Sequence, residues 1–201
     1  MDVLSWARKI HENATAHGWH ETRRSSSACA DLFHSELSEA LEEYRGDRPM
    51  VYGIWNEGVT RIWTQDQELI RANGLKPEGI AIELIDCVIR ILDYAYDVWG
   101  EKGPHNTAAD WQEFCHAIED EDFLCDIRDL TLEGLLANCH YYVSIAWKNA
   151  PADTLASWPL MDCMSLICNW LRTHGHDPEE LMELKHNYNK GRDYRHGGKK
   201  L

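Results

Sequence analysis

The stretch that most constrains the fold is "EGIAIELIDCVIRILDYAYDVW", residues 78 to 99. It is apolar enough to lie in the middle of a helix bundle, yet Glu83, Asp86, Asp93 and Asp97 interrupt it. Positions 83, 86, 90, 93 and 97 follow one another at spacings of three, four, three and four, so at 3.6 residues per turn they form one narrow stripe. The other faces carry Ile, Leu, Val, Tyr, Ala and Trp. Such a helix either turns its stripe to water or holds its carboxylates in an internal cleft, where something positive must neutralise them.

The rest of the chain also reads as helix. A first helix is expected over residues 2 to 17, stopping near Gly18, and a second after Ser25 to Ser27, which can cap its free amides, running through "ACADLFHSELSEALEEYR" to Gly46. Residues 47 to 77 form a longer connection punctuated by Pro49, Gly53, Gly58, Gly74 and Pro77, with a short helix expected around 60 to 72. After a linker at 101 to 110, helical patterns resume at about 110 to 119, 129 to 148, 158 to 173 and 178 to 190. No strictly alternating segment argues for a sheet, so the fold class is all-α, a helical bundle forming a single domain over 1–201. "ELIDCVIRIL" (83 to 92) and "PLMDCMSLIC" (159 to 168) share Leu, Asp and Cys at one spacing. Read as a repeat, that echo divides the chain into a metal-binding helical half, 1–100, and a second helical half, 101–201, that has lost its acidic site but kept its packing role, the alternative being an accidental match of two apolar helices.

Bulk composition narrows the function. With 34 acidic against 20 basic residues the formal charge is −14, which argues against phosphate-backbone binding to a nucleic acid polymer and favours attraction of cations. No run of eighteen apolar residues suggests a membrane span, and "MDVLSWARKIHENATAHGWH" lacks the apolar run of a signal peptide, so a cytoplasmic location is expected. Seven cysteines without a CxxC pair suit reduced, buried thiols, and "HGH" at 174 to 176 near Cys163 and Cys168 is a poor zinc motif without paired spacing.

Glu36 and Glu39 lie three apart on the second helix, as do Glu83 and Asp86 on the 78 to 99 helix. Two such helices side by side would converge four carboxylates, whose repulsion a hard divalent cation such as Mg²⁺ relieves. The competing reading is a solvated acidic face; it suits Glu42 and Glu43 beside Arg45 better than Glu83 and Asp86, whose neighbours leave little other polar surface. The carboxy-terminal "LMELKHNYNKGRDYRHGGKKL" concentrates Lys185, Lys190, Arg192, Arg195, Lys199 and Lys200. Cations beside a metal–carboxylate cluster are what a polyphosphate requires, the alternative being a frayed tail kept soluble by lysine, a reading that suits the residues after Gly197.

"ELSEALEEYRG", then "KPEGIAIELIDCVIRILD", then "LKHNYNKGRDYRHGGKK" resemble the MazG-like group of all-α nucleoside triphosphate pyrophosphohydrolases, relatives of the dimeric dUTPases and phosphoribosyl-ATP pyrophosphohydrolases. The resemblance implies a Mg²⁺-dependent enzyme, with Mn²⁺ as a substitute, that converts an NTP or dNTP to the monophosphate and pyrophosphate. It implies Glu36, Glu39, Glu83 and Asp86 as metal ligands, Glu39 as the base that takes a proton from water, and Lys185, Asn189 and Arg192 as substrate-binding residues. Trp55 and Trp63 are candidates to stack on the nucleobase, although nine tryptophans make core packing a competing role for either. The chain departs from the family pattern in the 43 residues between Glu39 and Glu83 and in the extra helical half before the tail motif. These point to a tandem pseudo-dimer with one working site, leave open whether Lys185 completes it in the same or a neighbouring chain, and admit a homodimer. Two rivals remain: a ferritin-like di-iron protein using Glu113-x-x-His116 and Glu183-x-x-His186, and a non-enzymatic acidic helical binding protein.

Overall fold

The computed structural model describes residues 1–57, 60–104, 109–119, 127–150 and 153–195. It is mostly helical: α1 (Val3–Ala16), α2 (Ser26–Arg45), α3 (Gln67–Ala72), α4 (Ile80–Trp99), α5 (Ala109–Glu119), α6 (Leu132–Lys148), α7 (Ser157–Thr173) and α8 (Pro178–Lys190). The expected boundaries fall close to these, because local capping sets them. The Ser25 side chain accepts the Ala28 amide at 3.2 Å, and Asp177 accepts the Glu179 amide at 2.7 Å with Pro178 as the first residue of α8.

Residues 47 to 77 differ from expectation. Tyr52–Glu57 (β1), Thr60–Thr64 (β2) and Lys76–Glu78 (β3) form a small antiparallel sheet in the order β2-β1-β3, and the short helix begins only at Gln67. The physical reason is the β-branched and aromatic content of "VYGIW" and "TRIWT", which favours paired strands over a helical turn. The sheet hands the chain to α4 through Gly79, whose φ of 114° belongs to a region that essentially only glycine occupies. A Cβ there would lie 2.6 Å from the Pro49 carbonyl oxygen and 2.7 Å from that of Met50. Gly79→Ala is therefore expected to cost about 2 kcal/mol or more, read as a lowered urea midpoint, and to disturb the first turn of α4, where Glu83 sits.

α4 is the central element. It packs against α1, α2, α7 and α8, and thirteen of its twenty residues are buried, so it is a core helix rather than a surface one. The six cysteines within the described residues are free thiols, all buried except the half-buried Cys115; Cys125 lies outside the described residues, as do Lys199 and Lys200. Among the described residues, no helix is long and apolar enough to cross a membrane.

Burial follows one register in the two halves. Cys29, Ala30, Phe33, Leu37 and Ala40 on α2 match buried Leu135, Leu136, Cys139, Val143 and Ala146 on α6, each 106 positions on. Leu84, Ile85, Cys87, Val88, Ile91 and Leu92 on α4 match buried Leu160, Met161, Cys163, Met164, Ile167 and Cys168 on α7, each 76 positions on. Val3, Trp6 and Ile10 on α1 match Trp111, Phe114 and Ile118 on α5. Contacts follow the same scheme: α1 and α2 pack on α4 as α5 and α6 pack on α7, while α2 meets α6 and α4 meets α7. Like residues meet at the join, where the Cys87 and Cys163 thiols are hydrogen-bonded and the His34 and His140 Nδ1 atoms are 2.8 Å apart. The halves differ at three of the four acidic positions: Tyr142, Ile145 and Pro159 stand where Glu36, Glu39 and Glu83 would recur, while Asp162 recurs for Asp86.

Candidate metal centre

α2 and α4 lie side by side, and their acidic faces meet. Glu36, Glu39 and Glu83 each present an atom within 4.8 Å of the others, with Glu36 and Glu83 buried and Glu39 exposed at the rim. Two buried carboxylates this close repel each other, and burial penalises their charged forms further. Burial and then the neighbouring acids Asp86, Glu36 and Glu39 push the Glu83 carboxyl up to about 8, against the opposing pull of Lys185. Glu36 is also pushed up by burial, although Arg90 opposes this. A set of hard oxygen donors that resists full ionisation without a cation is chemically suited to a hard divalent ion.

The positive groups come from two directions. Arg90, at the remaining position of the α4 stripe, donates from Nε to Glu36. A carboxylate has two oxygens, so this bond orients Glu36 without using up its donor capacity. From α8, Lys185 Nζ reaches Asp86 Oδ2 at 2.6 Å, and only 3% of Lys185 is exposed. Burial alone would lower the lysine's pKa, but Asp86 and Glu83 outweigh it and the net direction is up. The basic carboxy-terminal motif thus reaches the first-half acidic residues within one chain. Asp86 is placed beside the three glutamates and paired with Lys185, rather than counted among the mutually close ligand atoms.

One cleft runs along this junction, lined by Asp86, Arg90, Lys185, Asn189 and Arg192, and by Trp19 and Arg24 from the segment between α1 and α2. All three residues expected to bind substrate therefore share one wall. The Asn189 Oδ1 atom is buried and has no hydrogen-bond partner, so the cleft contains an unused acceptor. Trp55 and Trp63 are elsewhere, on β1 and β2, and do not line this cleft; Trp63 stacks on Tyr52 at 4.6 Å and lies under the Arg48 guanidinium. The tryptophan in the cleft is Trp19, with the Arg24 guanidinium over its ring at 5.4 Å, and sequence spacing could not single it out among nine tryptophans. Arg24 was missed for a similar reason: it lies outside any periodic run.

Three of the four ExxH residues, Glu113, His116 and Glu183, are exposed, while His186 is buried edge-on to Trp6 with ring centroids 5.8 Å apart. Burial depresses His186 to about 4, so it lines the cleft as a neutral ring. His174, of the "HGH" stretch, stacks on Trp170 at 3.8 Å.

A mostly helical protein with three convergent carboxylates beside a basic cleft is the class that fold and site define. Compared with known proteins, the chain matches no family model, no curated protein and no solved structure.

Proposed function

We propose that the protein is a Mg²⁺-dependent nucleoside triphosphate pyrophosphohydrolase of MazG-like type, hydrolysing an NTP or dNTP with water to the monophosphate and pyrophosphate. The observation that carries this reading is the junction itself: three carboxylates from α2 and α4 stand beside the Lys185–Asp86 pair, whose lysine is supplied by α8 of the same chain. An acidic group alone would suit any divalent cation. An acidic group whose neighbouring wall is Arg24, Arg90, Lys185 and Arg192 suits a cation together with a polyanion.

Glu36, Glu39 and Glu83 would hold the ion, with Asp86 as a further oxygen ligand once Lys185 turns to phosphate. Mg²⁺ there supplies Lewis-acid polarisation of a phosphate oxygen and neutralises developing charge; Mn²⁺ would do the same. Glu39, the exposed member, accepts the attacking water's proton and can pass it to solvent. Lys185 and Arg192 neutralise the departing pyrophosphate, and Asn189 Oδ1 accepts a sugar hydroxyl or base N–H. The matching burial registers support a tandem pseudo-dimer in which only the first half has the three glutamates.

The test is a panel of ribo- and deoxyribonucleoside triphosphates incubated with protein and Mg²⁺. Monophosphate and pyrophosphate are expected in equal amounts, with turnover abolished by chelator. Orthophosphate release, or turnover indifferent to chelator, would overturn the assignment.

A further inference from the structure

Below Asp86 and Arg90 on the α4 stripe, Asp93 is 9% exposed in the core, and nothing in the proposed reaction uses it. Two segments converge on it. His11 Nδ1 from α1 lies 3.2 Å from Asp93 Oδ1, and His20 Nε2 from the loop after α1 lies 2.8 Å from the same oxygen. Arg24 Nη1 lies 3.7 Å from the other oxygen, Oδ2. Ligand atoms of His11, His20 and Asp93 all fall within 4.8 Å of one another.

His20 is the informative member. Its other nitrogen, Nδ1, lies 3.4 Å from Asp97 Oδ1, so both ring nitrogens face carboxylate oxygens, which only accept. A neutral imidazole carries one N–H and would leave the second nitrogen's lone pair against an oxygen lone pair. A cation held at Nε2 leaves Nδ1–H to donate to Asp97, so that both nitrogens are satisfied. Two nitrogens and one oxygen around a common point, with a carboxylate behind one imidazole to fix its tautomer, form the donor pattern of a borderline divalent ion such as Zn²⁺. The 2.8 and 3.2 Å separations are close to the roughly 3.3 Å between neighbouring ligands of a tetrahedral ion with bonds of about 2.0–2.1 Å.

We propose that His11, His20 and Asp93 form a second metal site, selective for Zn²⁺-like ions over Mg²⁺, with Asp97 orienting His20. Its consequence is structural: the ion ties α1 and the loop bearing Trp19 and Arg24 to α4, fixing one wall of the cleft. The site shares no ligand with Glu36, Glu39 and Glu83, so it stands or falls separately from the hydrolase reading.

The test is a Co²⁺ titration of chelator-stripped protein in excess Mg²⁺, which occupies oxygen-only sites, followed by visible absorption of nitrogen-ligated Co²⁺ and displacement with Zn²⁺. One equivalent is expected to bind in the wild type and in Glu83→Gln, and to be lost in His20→Asn. Asp97→Asn, which touches no proposed ligand atom of the ion, is expected to weaken binding about 10–100-fold. No Co²⁺ band in the wild type would overturn the proposal. So would a band unchanged by His20→Asn and Asp97→Asn.

Discussion

Glu83→Gln is expected to abolish turnover while stabilising the metal-free protein at pH 8. The two effects share one cause. Glu83 is 6% exposed, and burial, with Asp86, Glu36 and Glu39 nearby, pushes its carboxyl up to about 8 from an ordinary value of 4.5. Between those values the folded state holds a proton that the unfolded state has released, so stability without metal falls as pH rises through that window. The direction is the reverse of that for an acid depressed by a salt bridge, which gains stability as pH rises. Glutamine keeps the shape and has no proton to lose. At pH 8 it should recover roughly 2 kcal/mol, or a melting temperature several degrees higher, an advantage that shrinks towards pH 5. Turnover with Mg²⁺ should drop by roughly 10³-fold or more, a loss of about 4 kcal/mol of transition-state stabilisation. Melts in EDTA at both pH values, with turnover in Mg²⁺, check both halves. An active variant, or one less stable than wild type at pH 8, would contradict the account.

Lys185→Met is expected to have the largest effect on stability. The ammonium group is buried and 2.6 Å from Asp86, and removing it leaves Asp86 beside Glu83 and Glu36 without that cation. Breaking a buried pair from one side costs about 3–5 kcal/mol, because the remaining charge stays in a poorly solvating environment. The lysine's pKa is raised in the fold, so its contribution is present throughout neutral pH and is lost only as pH climbs past its ordinary value of 10.5. Two rescues follow from the same reasoning. Asp86→Leu in the Lys185→Met background should restore a large part of the loss, since it removes the orphaned charge. Mg²⁺ should restore part of it too, by supplying positive charge to the remaining carboxylates. Urea unfolding of both single variants and the double variant measures this directly; a Lys185→Met protein within about 1 kcal/mol of wild type would mean the pair is solvated and the junction loose.

What the sequence disclosed follows from which interactions are local. Ser25, Gly46 and Pro178 act on the turn next to them, so the ends of α2 and the start of α8 could be read along the chain. The α4 stripe was also legible, because spacings of three and four report one helical face. The antiparallel pair β1–β2 is not legible as strict alternation, because its β-branched and aromatic residues sit among glycines and prolines that punctuate an irregular connection. Its partner β3 is set by long-range pairing with β1 that no local pattern reveals. Asp93 could be placed on the stripe, but its partners His11 and His20 come from two other segments with no fixed interval between them. Arg90 occupied the stripe in plain view; its bond to Glu36 depends on how α2 and α4 are packed.

The central claim is that Glu36, Glu39 and Glu83 close on one divalent ion beside Lys185. Anomalous diffraction from crystals soaked in Mn²⁺ tests it most directly. The account predicts a manganese peak between those three side chains, on the order of 2 Å from their oxygens, and its loss in Glu83→Gln. Crystals saturated with Mn²⁺ that show no peak there, or a peak unchanged in Glu83→Gln, would contradict it.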